Sequence, residues 1–123
     1  MIGFTEKTTA QDIMNPNVVT IGASKTVREA VESMVANNTR KIVVSEGGEW
    51  KGILDNLKIS KKDLDKKVSE MKLKGIQIIH PETDVEQIRK IMHTSSTLLV
   101  LDAAKKSQGI ITYTDWMRSR GLI

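Results

Sequence analysis

Hydrophobic positions along this chain switch between two spacings, and the same sequence of switches occurs twice. Val18 to Ile21 is a short β-branched run and predicts a strand. Val27, Ala30, Val31, Met34 and Val35 then recur at helical spacing and make one apolar stripe. Thr26 and Glu29 have the capping-box spacing for that helix, the hydroxyl and carboxylate each serving the other's backbone N–H. Ile42-Val43-Val44 predicts a buried strand, Glu46-Gly47-Gly48-Glu49 a turn, and Trp50 to Leu54 the returning arm of a hairpin. Asp55 is placed to cap a further helix, with Leu57 and Ile59 among its few apolar residues.

The second half repeats this order. Ile76 to Ile79 predicts a strand, Val85, Ile88, Ile91 and Met92 a helix stripe, and Leu98–Leu101 with Gln108–Ile111 a hairpin. A last helix runs through Trp116 and Met117, with Gly121 placed as its C-terminal stop. Asp12-Ile13-Met14 corresponds to Ser69-Glu70-Met71, and Lys51-Gly52-Ile53-Leu54-Asp55 to Gln108-Gly109-Ile110-Ile111-Thr112. The helix pair Thr26 and Asp84 is offset by one further residue, which a single loop insertion accounts for. Each half therefore reads strand, helix, strand, strand, helix, an α+β organisation. Lys58 to Lys67 is lysine-rich and predicts a helix end and linker. Each half, at roughly 55 residues, would be marginal alone. Two halves facing each other across small sheets with pseudo-twofold symmetry would share a core and leave clefts between them.

Length and charge narrow the picture modestly. The 123 residues suffice for one compact module, with 39% hydrophobic and 28% charged residues. There is no cysteine, which excludes disulfides and thiol catalysis and fits a reducing compartment. Met1-Ile2-Gly3-Phe4 is followed at once by Thr5-Glu6-Lys7, unlike a leader peptide, and no aliphatic run approaches a bilayer span. A cytoplasmic, membrane-free protein is expected. The net charge of +4 allows attraction to phosphates or nucleic acid without demanding it.

Gly109-Ile110-Ile111-Thr112-Tyr113-Thr114-Asp115-Trp116 resembles the strand-to-helix signature of CBS domains: glycine, two hydrophobics, Ser/Thr, two residues, then Asp. Asp12-Ile13-Met14-Asn15-Pro16 followed by Val18-Val19-Thr20 is similar to the family's opening. The resemblance runs from about Thr8 to Arg120. It implies two CBS repeats, residues 8–66 and 67–121, packed as a pair. It also implies binding of an adenosyl ligand (AMP, ADP, ATP or S-adenosylmethionine) between the repeats, AMP being the expected one, with no other cofactor required.

By that resemblance one cleft combines Ile110, Thr112, Thr114 and Asp115 with Val18, Val19 and Thr20. The carboxylate of Asp115 would accept from both ribose hydroxyls, a task suited to a group with several lone pairs and no donor. The Thr112 hydroxyl would lie near the α-phosphate, beside free N–H groups of a helix start. Arg40 matches a basic phosphate contact, and its guanidinium fork suits phosphate oxygens. The other cleft departs from the pattern. Asp55 stands where Thr is expected, and Lys58, which can only donate, where the ribose-binding Asp is expected. Thr97 replaces the arginine. One nucleotide site per chain is therefore expected. The family's frequent proline before the middle strand is replaced by Ile42 and Leu99.

Each of these residues also has a plainer reading. Thr-x-x-Asp at positions 112 to 115 is itself a capping box, and an aspartate in a first turn complements the helix dipole. Arg40 alone is an ordinary strand-end cation. Met14, Met34, Met71 and Met92 read as core filler, and Trp116 as partly buried core rather than dimer surface. His80 and His93 lack ligand spacing, so no metal is expected. The Lys61-Lys62 and Lys66-Lys67 pairs read as a solvated face. No phosphate-loop, dinucleotide or zinc-protease motif and no nucleophile–base pair is present, so an enzyme is not expected. The resemblance implies a regulatory ligand sensor that forms homodimers and signals to a separate effector protein. The alternatives are a nucleic-acid-binding module, poorly served by 3% aromatic residues, and a ligand-free dimerisation scaffold.

Overall fold

The computed structural model describes residues 9–123. Met1 to Lys7, read above for a leader, and Thr8, the start of the first repeat, lie outside the described residues. Two three-stranded sheets carry the fold. β1 (Thr20–Gly22), β2 (Lys41–Glu46) and β3 (Glu49–Asp55) lie in that order, β1 parallel and β3 antiparallel to β2. β4 (Gln77–Ile79), β5 (Thr97–Leu101) and β6 (Ser107–Thr112) repeat the arrangement. Four α-helices accompany them: α1 (Ala10–Ile13), α2 (Val27–Ala36), α3 (Val85–Ile91) and α4 (Tyr113–Ser119). The α+β organisation read from the pattern is what the chain adopts, although β1 and β4 begin one or two residues later than their β-branched runs.

Local chemistry explains these elements. Thr26 caps α2, its hydroxyl accepting from the Glu29 N–H at 3.1 Å while the Glu29 carboxylate accepts from the Thr26 N–H at 3.4 Å. Asp84 caps α3 through the Glu86 N–H at 2.7 Å. The β2–β3 hairpin turns on Gly47 and Gly48, with φ of 57° and 82°, a pair of left-handed conformations that the strand twist favours and glycine tolerates.

The chain clusters into two compact units, and these are cut differently from the sequence repeats. One unit is Val19–Ile76; the other joins the N-terminal segment through Val18 to Gln77–Ile123. The reason lies in the segments that precede each first strand. The N–H groups of Ala10 and Gln11, orphaned at the start of α1, donate to the carbonyls of Thr83 and Pro81 at 2.8 and 2.9 Å. Asn15 then exchanges both main-chain hydrogen bonds with Ile110 on β6. In the other unit Val68 and Ser69 donate to the carbonyls of Lys25 and Ala23, and Lys74 exchanges both bonds with Ile53 on β3. Each lead-in segment thus serves the hairpin of the opposite sequence repeat.

Each unit has its own core. Ala10, Ile13, Ile88, Met92, Leu98, Val100 and Ile111 are buried together in one, with Met14 and Trp116 half-buried against them. Ala30, Met34, Ile42, Val44, Leu54 and Val68 are buried together in the other, with Met71 half-buried beside them. The methionine and Trp116 expectations hold.

Two departures matter later. The helix expected after Asp55 is replaced by short 3-10 turns at Asn56–Lys58, Lys61–Asp63 and Val68–Glu70. Ser60 is extended, with φ of −116° and ψ of 167°, and caps the second turn, which interrupts any continuous helix. The Lys58–Lys67 stretch is also part of a unit rather than a free linker. Its Leu64 and Lys66 carbonyls accept from the Arg28 and Val27 N–H groups at 3.0 and 2.8 Å, satisfying the start of α2.

Candidate functional site

Strand β6 and helix α4 meet at Thr112, and this junction carries a cluster of polar groups. Thr112 is extended, with φ of −116° and ψ of 175°, and stands as the N-cap of α4. Oδ2 of Asp115 accepts from the Thr112 N–H at 2.8 Å and from the Thr112 hydroxyl at 3.0 Å. Asp115 is buried, 8% exposed. Its other oxygen, Oδ1, meets only the Arg118 guanidinium, at 3.5 Å, and Arg118 is itself largely exposed. The capping role read from the sequence is therefore real, and it fixes the carboxylate with one oxygen engaged and one turned toward an exposed cation.

Neighbouring groups define what this junction can offer. The Ile110 N–H and carbonyl are both consumed by Asn15, at 2.9 and 2.8 Å, so Ile110 can present only its side chain to a ligand. Thr114 is exposed on the first turn of α4. Tyr113, which sequence reasoning missed, donates its hydroxyl to the Met92 carbonyl at 2.9 Å. That bond ties the start of α4 to the end of α3 and holds the Thr112–Asp115 turn in place. No local pattern could have revealed it, because the acceptor lies on another element.

Of the predicted site residues, Val18, Ile110, Thr112, Thr114 and Asp115 belong to this unit, and Val19, Thr20 and Arg40 to the other. Thr20 opens β1, an edge strand whose only strand partner among the described residues is β2, and Val19 precedes it, its carbonyl accepting from the Val43 N–H at 2.9 Å. Arg40 precedes β2; its carbonyl accepts from the Asn56 N–H at 2.9 Å, and its exposed side chain enters no ion pair among the described residues.

The position equivalent to Thr112–Asp115 in the other unit is built differently. Asp55, 5% exposed, accepts from the Leu57 N–H at 3.0 Å and pairs with the Lys74 ammonium at 3.5 Å. Burial pushes its carboxyl up, but the Leu57 N–H and Lys74 together outweigh that and hold it below the usual aspartate value. Asp55 is thus satisfied internally, and Lys58 beside it is exposed. Another Ser/Thr-x-x-Asp turn occurs at Ser60–Asp63. Its buried carboxylate accepts from the Ser60 N–H at 2.9 Å and the Lys66 ammonium at 2.9 Å, which draw its pKa down to about 2. No group of three His, Cys, Asp or Glu among the described residues is placed to hold a metal ion. No helix among them is long and apolar enough to cross a membrane.

Comparison with known proteins places this geometry in context. The family model for the CBS domain matches residues 10–56 and again residues 68–121. A CBS-domain containing protein from Agrobacterium tumefaciens is similar in fold, with a TM-score of 0.77 at 20% identity over 98% of each chain. The CBS domain of the bacterial CNNM/CorC family Mg2+ transporter in complex with ATP gives a TM-score of 0.81 at 16% identity, over 95% of this chain and 89% of that one. The cytosolic domain of the Mg2+ channel MgtE in complex with ATP gives 0.76 at 24% identity, over 92% of this chain and 49% of that one. No curated protein sequence matches the chain significantly.

Proposed function

This chain belongs to the CBS domain family, and on that premise we propose that it is a sensor that binds an adenosyl nucleotide at Asp115 and performs no catalysis. AMP is the expected ligand, with ADP, ATP and S-adenosylmethionine as its chemical relatives. The observation that carries the reading is the Asp115 carboxylate itself. It is buried, oriented through Oδ2 by Thr112, and left with an oxygen whose sole partner among the described residues is a long contact to an exposed arginine. A vicinal ribose diol has two donors and finds there an acceptor already fixed in place, so little ordering cost falls on binding. Val18, Ile110, Thr112 and Thr114, in the same unit as Asp115, complete the proposed site. Two solved relatives in fold are described in complex with ATP, which agrees with the same ligand class.

At the equivalent position Asp55 is already paired with Lys74, and the reading assigns no nucleotide there. Binding acts by favouring one arrangement of the chain or of a homodimer over another, and a separate effector protein in the same compartment, the cytoplasm, reads the difference.

Thermal unfolding with AMP, ADP, ATP, S-adenosylmethionine and a GMP control tests this. A ligand at 100 times its Kd should stabilise by about 2.7 kcal/mol, a rise of several degrees in Tm. The Asp115→Ala variant should lose the response. A Tm unmoved by every adenosyl ligand in ligand-free protein would leave Asp115 as a helix cap in a scaffold.

A further inference from the structure

We propose that the Val19–Ile76 unit holds a second, separate ligand site, which takes an aliphatic chain bearing a single anionic head group. The site is a cavity of about 500 Å³ between the C-terminal half of α2 and the irregular segment after β3. Pockets for small molecules occupy roughly 300–1,000 Å³. The cavity exists because this segment is not a regular helix. Ser60 breaks it into 3-10 turns, so it does not close along α2.

The wall is apolar. Val31, Met34 and Val35 come from one side of α2, and Ile59 and Leu64 face them from the broken segment. Val35 was expected in the core stripe but is 76% exposed, because nothing from the turns covers it. No aromatic ring lines the cavity among the described residues. An aliphatic body therefore fits its wall better than a base that needs a stacking partner.

The rim is cationic. Arg40 and Lys61 both line the cavity, and neither enters an ion pair among the described residues. No Asp or Glu lines it there either. The acids nearest Lys61 in sequence are committed elsewhere, Asp63 to Lys66 and Asp65 to Arg28. Two unpaired cations above an aliphatic wall complement a carboxylate or phosphate head on a hydrocarbon tail.

The test is a heteronuclear NMR titration of the full chain with decanoate, decyl phosphate and neutral decanol, below micelle-forming concentrations. Arg40, which the resemblance matches to a nucleotide phosphate contact, is left unchanged. Saturable shifts confined to residues 31–40 and 56–64, stronger with either anion than with decanol, are expected. The two anions then tell a carboxylate head from a phosphate head. Lys61→Glu, on an exposed turn, should weaken binding at least about ten-fold. Val31→Trp should abolish it by filling the cavity, and Asp115→Ala should leave it unchanged. Equal binding of decanol, shifts elsewhere, or no saturable binding would overturn the proposal. Displacement of decanoate by AMP would overturn its independence, whereas loss of AMP binding alone would count only against the nucleotide reading.

Discussion

Gly52 sits in β3 at φ of 150°, and a Cβ there would stand 2.5 Å from the Lys74 carbonyl oxygen and 3.1 Å from the Leu73 Cβ. Both obstacles arise from the same lead-in strand that pairs with Ile53. Gly52→Ala should therefore destabilise the protein by at least about 1 kcal/mol, measured by urea unfolding. An unchanged midpoint would mean that the Lys74 segment does not pack on β3 as described. Asp63 gives a prediction with a pH signature. Its folded pKa lies at about 2, below its ordinary value of 3.8, so the stability it adds is present above about pH 4 and is lost as pH falls toward 2. Asp63→Asn should remove that part of the acid dependence, and stability curves for the two proteins should converge below about pH 2. Curves that stay parallel from neutral to acid pH would contradict it. At this scale the sequence was informative for several partners near in the chain, though not for Ser60 and Asp63. Thr112 and Asp115, three residues apart, were legible as a cap. The Lys74–Asp55 pair and the Tyr113–Met92 bond were not, because each joins residues brought together only by the folded chain.

At the scale of elements, α2 shows how far local signals reach. Its N-terminus is written in Thr26 and Glu29, and Thr26→Ala should cost about 1 kcal/mol in thermal or urea unfolding. The carbonyls of Leu64 and Lys66 also serve that terminus, so the substitution should leave α2 formed and the circular dichroism spectrum unchanged. A collapse of helical signal would show that the cap, not the packing, decides whether α2 exists. The strands were legible from their β-branched runs, and the hairpins from glycine turns and paired arms. The segment after β3 was not. Asp55 looks like the cap of a helix, and Leu57 supports one, but Leu57 is 80% exposed and Ser60 restarts the backbone with a second cap. A competing hydrogen-bond pattern, short in range and strong, overrides a weak apolar stripe.

For the whole molecule, the exchange of lead-in segments could not be read from the repeat, because the pairing of Asn15 with Ile110 spans most of the chain. It has a measurable consequence. Ile13 lies in the core of the unit that contains β5 and β6, so Ile13→Ala should cost about 2–5 kcal/mol there. Hydrogen exchange should then accelerate first in β5 and β6 rather than in β2 and β3, although Ile13 is close in sequence to β1. Opening that begins in β2 and β3 would contradict the exchanged arrangement. On the proposed function, one adenosyl nucleotide binds per chain, through Asp115, while the equivalent position at Asp55 stays closed by Lys74. Isothermal titration calorimetry with AMP tests it most directly. The account predicts a stoichiometry of one per chain, abolished in Asp115→Ala and unchanged in Lys58→Ala. Two sites per chain, or undiminished binding in a folded Asp115→Ala variant, would contradict it.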